Sequence, residues 1–361
     1  MKKKQNRRWM AWGMAIVLCF LSACGSGETK TAAETTANDS NAPSSVQAQA
    51  APEGNTKTAE PSSSGKEEIV IGFLPASMTA DFHLDVLDGA KTAAEAYGIK
   101  LQVQAPGSED DYAGAVTILE DMITQGVDAI IINTNSQESL APAIQKANEA
   151  GIPVVIYNTT ITMEEAYGVD LYCYIGYDQK QICADLVDWM YEYTGKKNAE
   201  VAVIEGLPST YTSLRGEGFY GRIEEAYAEI FHVVAKVSGD WETDKGYSVA
   251  MDILEANPDV TILFAMNDNM ALGAYQALVQ LGKQNQVTVM GMDGSSTAYE
   301  SIKAGEMDAT INCNPQGQGA LAVKYALQAA KGQPLTDGTS DKVILTEVYI
   351  VDSSNVDEYL K

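Results

Sequence analysis

Three short polar residues stand where apolar runs stop. Asn158 closes Gly151-Ile-Pro-Val-Val-Ile-Tyr157, Asp293 closes Val287-Thr-Val-Met-Gly-Met292, and Asn267 follows Val260-Thr-Ile-Leu-Phe-Ala-Met266. Amide and carboxylate groups on such short stems offer fixed donors and acceptors suited to hydroxyl groups. Taken singly, each reads first as a helix cap or turn residue. Their recurrence at matching places in two halves of the chain favours a shared cleft instead. Reaction chemistry is less well marked. His83 is a candidate base, but no nucleophile or carboxylate partner is indicated by spacing, so no catalytic residue is expected. There are only two histidines and no spaced Cys/His cluster, so neither a metal site nor a cofactor is expected. Gly216-Glu-Gly-Phe-Tyr-Gly221 fits a dinucleotide pattern formally. It lies inside a helical stretch rather than at a strand-to-helix turn, and Glu217 would oppose a pyrophosphate.

The elements that must hold these residues alternate. Strands are predicted over Glu68–Leu74, Lys100–Gln104, Gly126–Ile132 and Ile152–Tyr157, separated by helices over Leu84–Tyr97, Ala113–Gln125 and Ser139–Ala150. The pattern then restarts. Strands at Val201–Ile204, Val233–Val237, Val260–Phe264 and Val287–Met290 are separated by helices at Ser213–Ala228, Lys245–Ala256 and Met270–Leu281. Fully apolar runs spaced by helices mean right-handed crossovers and parallel sheets, an α/β fold. Gly126-Val-Asp-Ala-Ile-Ile-Ile-Asn-Thr-Asn135 lies in register with Pro258-Asp-Val-Thr-Ile-Leu-Phe-Ala-Met-Asn267, which indicates two similar lobes. In open α/β sheets ligands sit beyond the carboxyl ends of the strands. Trp189, between Leu186 and Met190 on a helix, reads as packing. Arg215 reads as a helix-start residue or a partner of Glu217.

The N-terminus carries an address. Lys2, Lys3, Lys4, Arg7 and Arg8 precede an uncharged apolar stretch from Trp9 to Ala23, a secretory leader over residues 1–23. Leu21-Ser22-Ala23-Cys24 resembles a bacterial lipoprotein box, with Cys24 as the lipidated first residue. Residues 24–66, rich in Ala, Thr, Ser, Glu, Gly and Pro, read as a disordered tether to the membrane. The formal charge is −25, and removing the five basic leader residues makes it −30. So acidic a surface repels phosphate backbones and excludes nucleic acid as a partner. Of five cysteines, Cys173, Cys183 and Cys313 remain in the body, an odd number that argues against a disulfide framework. A Cys173–Cys183 pair is the minor reading and free buried thiols the plainer one.

Phe264-Ala-Met-Asn-Asp-Asn-Met-Ala-Leu-Gly-Ala274 and Val289-Met-Gly-Met-Asp-Gly294 resemble signature segments of the type I periplasmic binding proteins, of the ribose- and glucose/galactose-binding kind. Leu87-Asp-Gly-Ala90 and Arg215-Gly-Glu-Gly-Phe219 fit the same family. The resemblance implies two Rossmann-like lobes joined by a three-segment hinge, with crossings near Tyr177, Cys313 and Val343. The N-terminal lobe would be 67–176 plus 314–343, and the C-terminal lobe 177–313 plus 344–361. It implies a monomeric, extracytoplasmic, non-enzymatic protein that closes on a sugar and delivers it to an ABC importer permease. A ligand-sensing subunit for a receptor kinase is the alternative. Residue by residue, it implies ligand contacts from Phe82 and His83, Asn158 and Thr159, Ser213, Trp241 as a second stacking aromatic, Asn267, Asp293 and Cys313. Five positions depart from the ribose type. Asn158-Thr159 replaces Asp-Arg, Ser213 replaces an arginine, Ala80 replaces a polar residue, and Cys313 replaces an amide. Ligand identity therefore stays open among pentoses, hexoses, deoxy sugars and nucleosides.

Overall fold

The computed structural model describes residues 68–360. The leader, Cys24 and the 25–66 segment lie outside the described residues. The chain first runs β1 (Val70–Leu74), α1 (Asp81–Tyr97), β2 (Lys100–Val103), α2 (Tyr112–Gln125), β3 (Ala129–Ile132), α3 (Gln137–Glu149), β4 (Val154–Tyr157), the short α4 (Glu164–Tyr167) and β5 (Cys173–Gly176). It continues through α5 (Gln179–Tyr193), β6 (Ala199–Glu205), α6 (Thr210–Arg222), β7 (Phe231–Ser238), α7 (Thr243–Ala256), β8 (Val260–Ala265), α8 (Asp268–Leu281), β9 (Thr288–Asp293), α9 (Ser296–Ala304) and β10 (Ala309–Asn312). It ends with α10 (Pro315–Ala330), β11 (Val343–Leu345) and β12 (Tyr349–Asp352).

Two six-stranded sheets result, ordered β2-β1-β3-β4-β5-β11 and β7-β6-β8-β9-β10-β12. Every residue of β3 and β4 is buried, because helices cover both faces of a parallel sheet. All pairings in the first sheet are parallel. The second is parallel as well, as the alternating pattern predicts, except that it closes on β12, which runs antiparallel to β10. Cys173, Cys183 and Cys313 are buried free thiols.

The chain passes between the sheets three times. The first passage, Tyr177–Asp178, links β5 to α5, and the second, Cys313–Asn314, links β10 to α10. The third lies at Thr346–Val348, between β11 and β12, and not at Val343. Val343 and Ile344 are apolar and buried, and they pair with Tyr174 and Ile175 to cover an edge that β5 would otherwise leave open. Residues 344 and 345 therefore belong with the first sheet.

Helix α10 returns from the second lobe to pack on the first, against α1. The two backbones nearly touch. A methyl group on Gly89 would sit 2.0 Å from the Gln316 carbonyl oxygen, and one on Gly319 would sit 1.9 Å from that of Val86. Gly319→Ala should therefore force the helices apart and cost roughly 1–3 kcal/mol in urea unfolding. An unchanged midpoint would show that this contact yields freely.

Candidate functional site

The carboxyl ends of both sheets face one cavity. The first lobe lines it with Ala80, Phe82 and His83 at the start of α1, with Glu109 beyond β2, with Asn133 and Asn135 beyond β3, and with Asn158 beyond β4. The second lobe contributes Tyr211 and Arg215 from α6, Trp241 beyond β7, Asn267 beyond β8 and Asp293 at the end of β9.

On the first-lobe wall, His83 is held at both ring nitrogens. Nδ1 lies 3.0 Å from the Tyr157 hydroxyl, and Nε2 lies 3.5 Å from Glu109 Oε1. Glu109 also accepts from Asn135 Nδ2 at 2.7 Å and from Ser77 Oγ at 3.3 Å. Burial pushes the Glu109 carboxyl up, but the hydrogen bond and charge of His83, together with the amide and hydroxyl donors, outweigh it. The carboxyl is held below its ordinary value. Asn133 Nδ2 donates to the Tyr157 carbonyl at 2.8 Å and across the cavity to the Tyr211 hydroxyl at 3.3 Å.

On the second-lobe wall Arg215 is buried with its charge. Its Nε donates to Gln179 Oε1 at 3.0 Å, one terminal nitrogen donates to the Met266 carbonyl, and the other donates to the Tyr177 hydroxyl at 3.3 Å. Its guanidinium also lies over the Trp241 ring, 5.2 Å from the centroid. Gln179 donates in turn to the Asn158 carbonyl at 3.0 Å. The Asn158 N–H donates to Gln318 Oε1 at 2.9 Å, and Gln318 donates to the Cys313 carbonyl at 2.8 Å. Burial pushes the Asp293 carboxyl well above the usual range, with Arg215 opposing and Asp268 and Glu109 adding to the rise. Asn158, Trp241 and Asp293 all hold positive φ, at 64°, 70° and 135°. Such backbone is costly for a residue with a side chain, and it concentrates where function overrides local preference.

The cavity gathers six of the nine expected ligand residues: Phe82, His83, Asn158, Trp241, Asn267 and Asp293. Asn267 satisfies both readings at once, because its Oδ1 caps α8 by accepting from the Met270 N–H at 2.9 Å while the residue lines the cavity. Thr159, Ser213 and Cys313 are not in the lining. Thr159 is buried, its N–H spent on the Ile175 carbonyl and its hydroxyl oxygen accepting from the Ile161 N–H. Cys313 is buried in the second passage, its thiol 3.6 Å from the Ile311 carbonyl. Ser213 is exposed, with its hydroxyl donating to the Ser209 carbonyl at 3.1 Å. Tyr211 and Arg215 are four residues apart and share the inward face of α6, and Ser213 stands about 200° round from Tyr211. The same geometry corrects the reading of Arg215, since Glu217 pairs with Lys180 at 3.2 Å. Glu109, Asn133, Asn135 and Tyr211 were not foreseen as site residues. The register match of Asn135 with Asn267 was the available signal for one of them. Trp189 lies elsewhere, donating to Asp352 Oδ2 at 2.9 Å and stacked on Tyr193. Among the described residues no group of three His, Cys, Asp or Glu side chains could hold a metal ion.

The model of the periplasmic binding protein domain family matches residues 71–334. The chain belongs to the type I periplasmic binding protein family. This binding protein is 32% identical to the ribose import binding protein RbsB of Bacillus subtilis over 270 residues, 74% of this chain and 84% of that one. It is also 32% identical to the D-ribose/D-allose-binding protein of Pseudomonas aeruginosa over 291 residues, 78% and 88% of the two chains. Among solved structures it resembles an ABC transporter periplasmic solute-binding protein from Actinobacillus succinogenes with bound D-allose. That match has a TM-score of 0.75 at 32% identity and covers 81% of this chain and all of the other. An ABC transporter solute-binding protein from Bacillus halodurans with bound myo-inositol matches with a TM-score of 0.73 at 27% identity, covering 82% and 99%.

The lobes also touch at the cavity rim. Asp81 Oδ2 accepts from Thr297 Oγ1 at 3.0 Å, and the Asp81 N–H donates to Asn269 Oδ1 at 3.4 Å. One turn along α1, Asp85 is pushed up to about 6 by partial burial and by the charges of Asp81, Asp88 and Asp268, with the Ser296 N–H opposing. Buried Asp268 is also raised to about 6, by burial against the donors Thr310, Ser295 and Gly294. A carboxyl whose folded value is raised contributes stability that is full below about 4 and lost as pH rises through about 6. The melting temperature should therefore rise as pH falls from 7.5 to 5, and Asp85→Asn should flatten that slope. An equally steep slope in the variant would remove Asp85 as its source.

Proposed function

We propose that this protein captures a sugar in the cavity between its lobes and hands it to the membrane permease of an ABC importer. The observation that carries the reading is the cavity itself: short amides and carboxyls from both sheets, the aromatic rings of Phe82, Tyr211 and Trp241, and a fixed hydrogen-bonded frame behind them. Neutral polyhydroxylated rings fit such walls, with C–H faces against aromatic side chains and hydroxyls against Asn and Asp. The relatives named above are binding proteins for ribose, allose and myo-inositol, which supports the same class here. Ligand contacts to both walls would favour the closed arrangement over an open one, a population shift about the three passages. Cys24 would anchor the protein by lipid to the outer face of the cell membrane, and the acidic body would work there as a monomer.

The reading is tested by thermal shift of the purified protein against D-ribose, D-allose, myo-inositol, deoxy sugars and nucleosides. A ligand at 100 times its Kd adds about 2.7 kcal/mol, which moves the midpoint by a few degrees. A shift with one sugar class supports capture, and silence across every sugar would overturn it. With the responsive sugar, Asn158→Ala and Asp293→Ala should each weaken binding about tenfold or more, equivalent to about 1.4 kcal/mol. Ser213→Ala, on the outer face of α6, should leave affinity unchanged.

A further inference from the structure

Trp241 is 6% exposed and lines the cavity, and its indole Nε1 has no hydrogen-bond partner in the protein. A buried indole N–H without an acceptor is costly and rare in a folded protein. The ring is also unusually constrained. One face carries the Arg215 guanidinium, and the benzo edge fills the space above Gly206, where a methyl group would lie 1.9 Å from a ring carbon. The backbone is held at φ 70°, following Asp240 at 51°, and the Trp241 carbonyl accepts from Asn267 Nδ2 at 3.1 Å. A large aromatic is thus kept in the left-handed region with one polar atom unspent. Across the cavity, Asn158 is in the complementary state. Its backbone N–H and carbonyl are pinned by Gln318 and Gln179, its φ is also positive, and its buried side-chain Oδ1 has no partner.

We infer that Trp241 selects the ligand by donating its indole N–H, edge-on, to one ligand oxygen, and is not simply a stacking platform. The inference rests on the sugar-capture reading and narrows it. The ligand must present an acceptor at the Trp241 edge and a donor toward Asn158, and one hydroxyl, or two neighbouring ones, meets both demands. A sugar deoxygenated at that position leaves the indole N–H buried and unpaired, so the site discriminates against it.

The test uses whichever of D-ribose, D-allose and myo-inositol the wild-type protein binds, with its series of monodeoxy analogues, measured by calorimetry on wild type and Trp241→Phe. Phenylalanine keeps an aromatic ring and removes only the donor and some ring area. For wild type, removal of one particular hydroxyl should cost about tenfold or more in affinity. Trp241→Phe should bind the parent sugar about tenfold more weakly and no longer distinguish it from that one analogue, while discrimination at the other positions persists. Wild-type affinity in the variant would overturn the inference. So would a uniform loss that leaves discrimination at every position intact, because the indole would then be only a packing surface. Failure of the sugar reading shows separately, in a wild-type protein that binds none of the three parents.

Discussion

A single buried guanidinium sets the terms for the site. Burying a cation is tolerable only when its hydrogens are spent and its charge is answered. Arg215 meets that demand with a side-chain amide, a main-chain carbonyl, a phenol and an aromatic face. Each of those partners belongs to a different functional part. Tyr177 is the first passage between lobes, Gln179 reaches over to Asn158, Met266 ends the run that delivers Asn267, and Trp241 is the aromatic of the same wall. Satisfying one charge therefore places four segments, and Gln318 extends the same frame to the second passage through the Cys313 carbonyl. Tyr177, Gln179 and Gln318, which do not line the cavity, thereby fix residues that do.

This frame divides labour between backbone and side chain. Asn158 has both main-chain groups held by glutamines from α5 and α10, so its side chain is left uncommitted. Glu109 is the reverse case. Its carboxylate is occupied by His83, Asn135 and Ser77, so it serves more as a brace for the histidine and the amide than as a free acceptor. Polar residues that look alike in composition thus fall into spent and unspent groups, and only the unspent ones can read a ligand.

How much of this was legible in the residues depends on the range of the determining interaction. Ile130-Ile-Ile132 and Val260 to Phe264 announce buried parallel strands, because a strand with two covered faces needs no alternation. Asn267 was legible through its register with Asn135. The family resemblance points to Ser213 on α6, whereas simple helical period puts Tyr211 and Arg215 together on its inward face. Glu109 lies in an irregular segment whose position is decided by His83 and Asn135, and no local pattern encodes that. The third passage was misplaced for the same reason: Val343 to Leu345 is too short to declare a strand, and it becomes one only by pairing with β5, about 170 residues earlier in the chain.

That distant pairing bears on how the molecule is made. The strands β1 to β5 are the first to leave the ribosome, yet the lobe they build lacks a face and an edge until α10 and β11 arrive, after the second lobe has been synthesised as far as β10. Gly319 meets the Val86 carbonyl across more than two hundred residues of chain. Closing loops of that length comes late and slowly. The second lobe, whose helices and strands from α5 to β10 are contiguous, waits only for its edge strand β12. Each lobe is therefore completed only when the last strands, β11 and β12, are in place, and the lobe begun first waits for α10 as well.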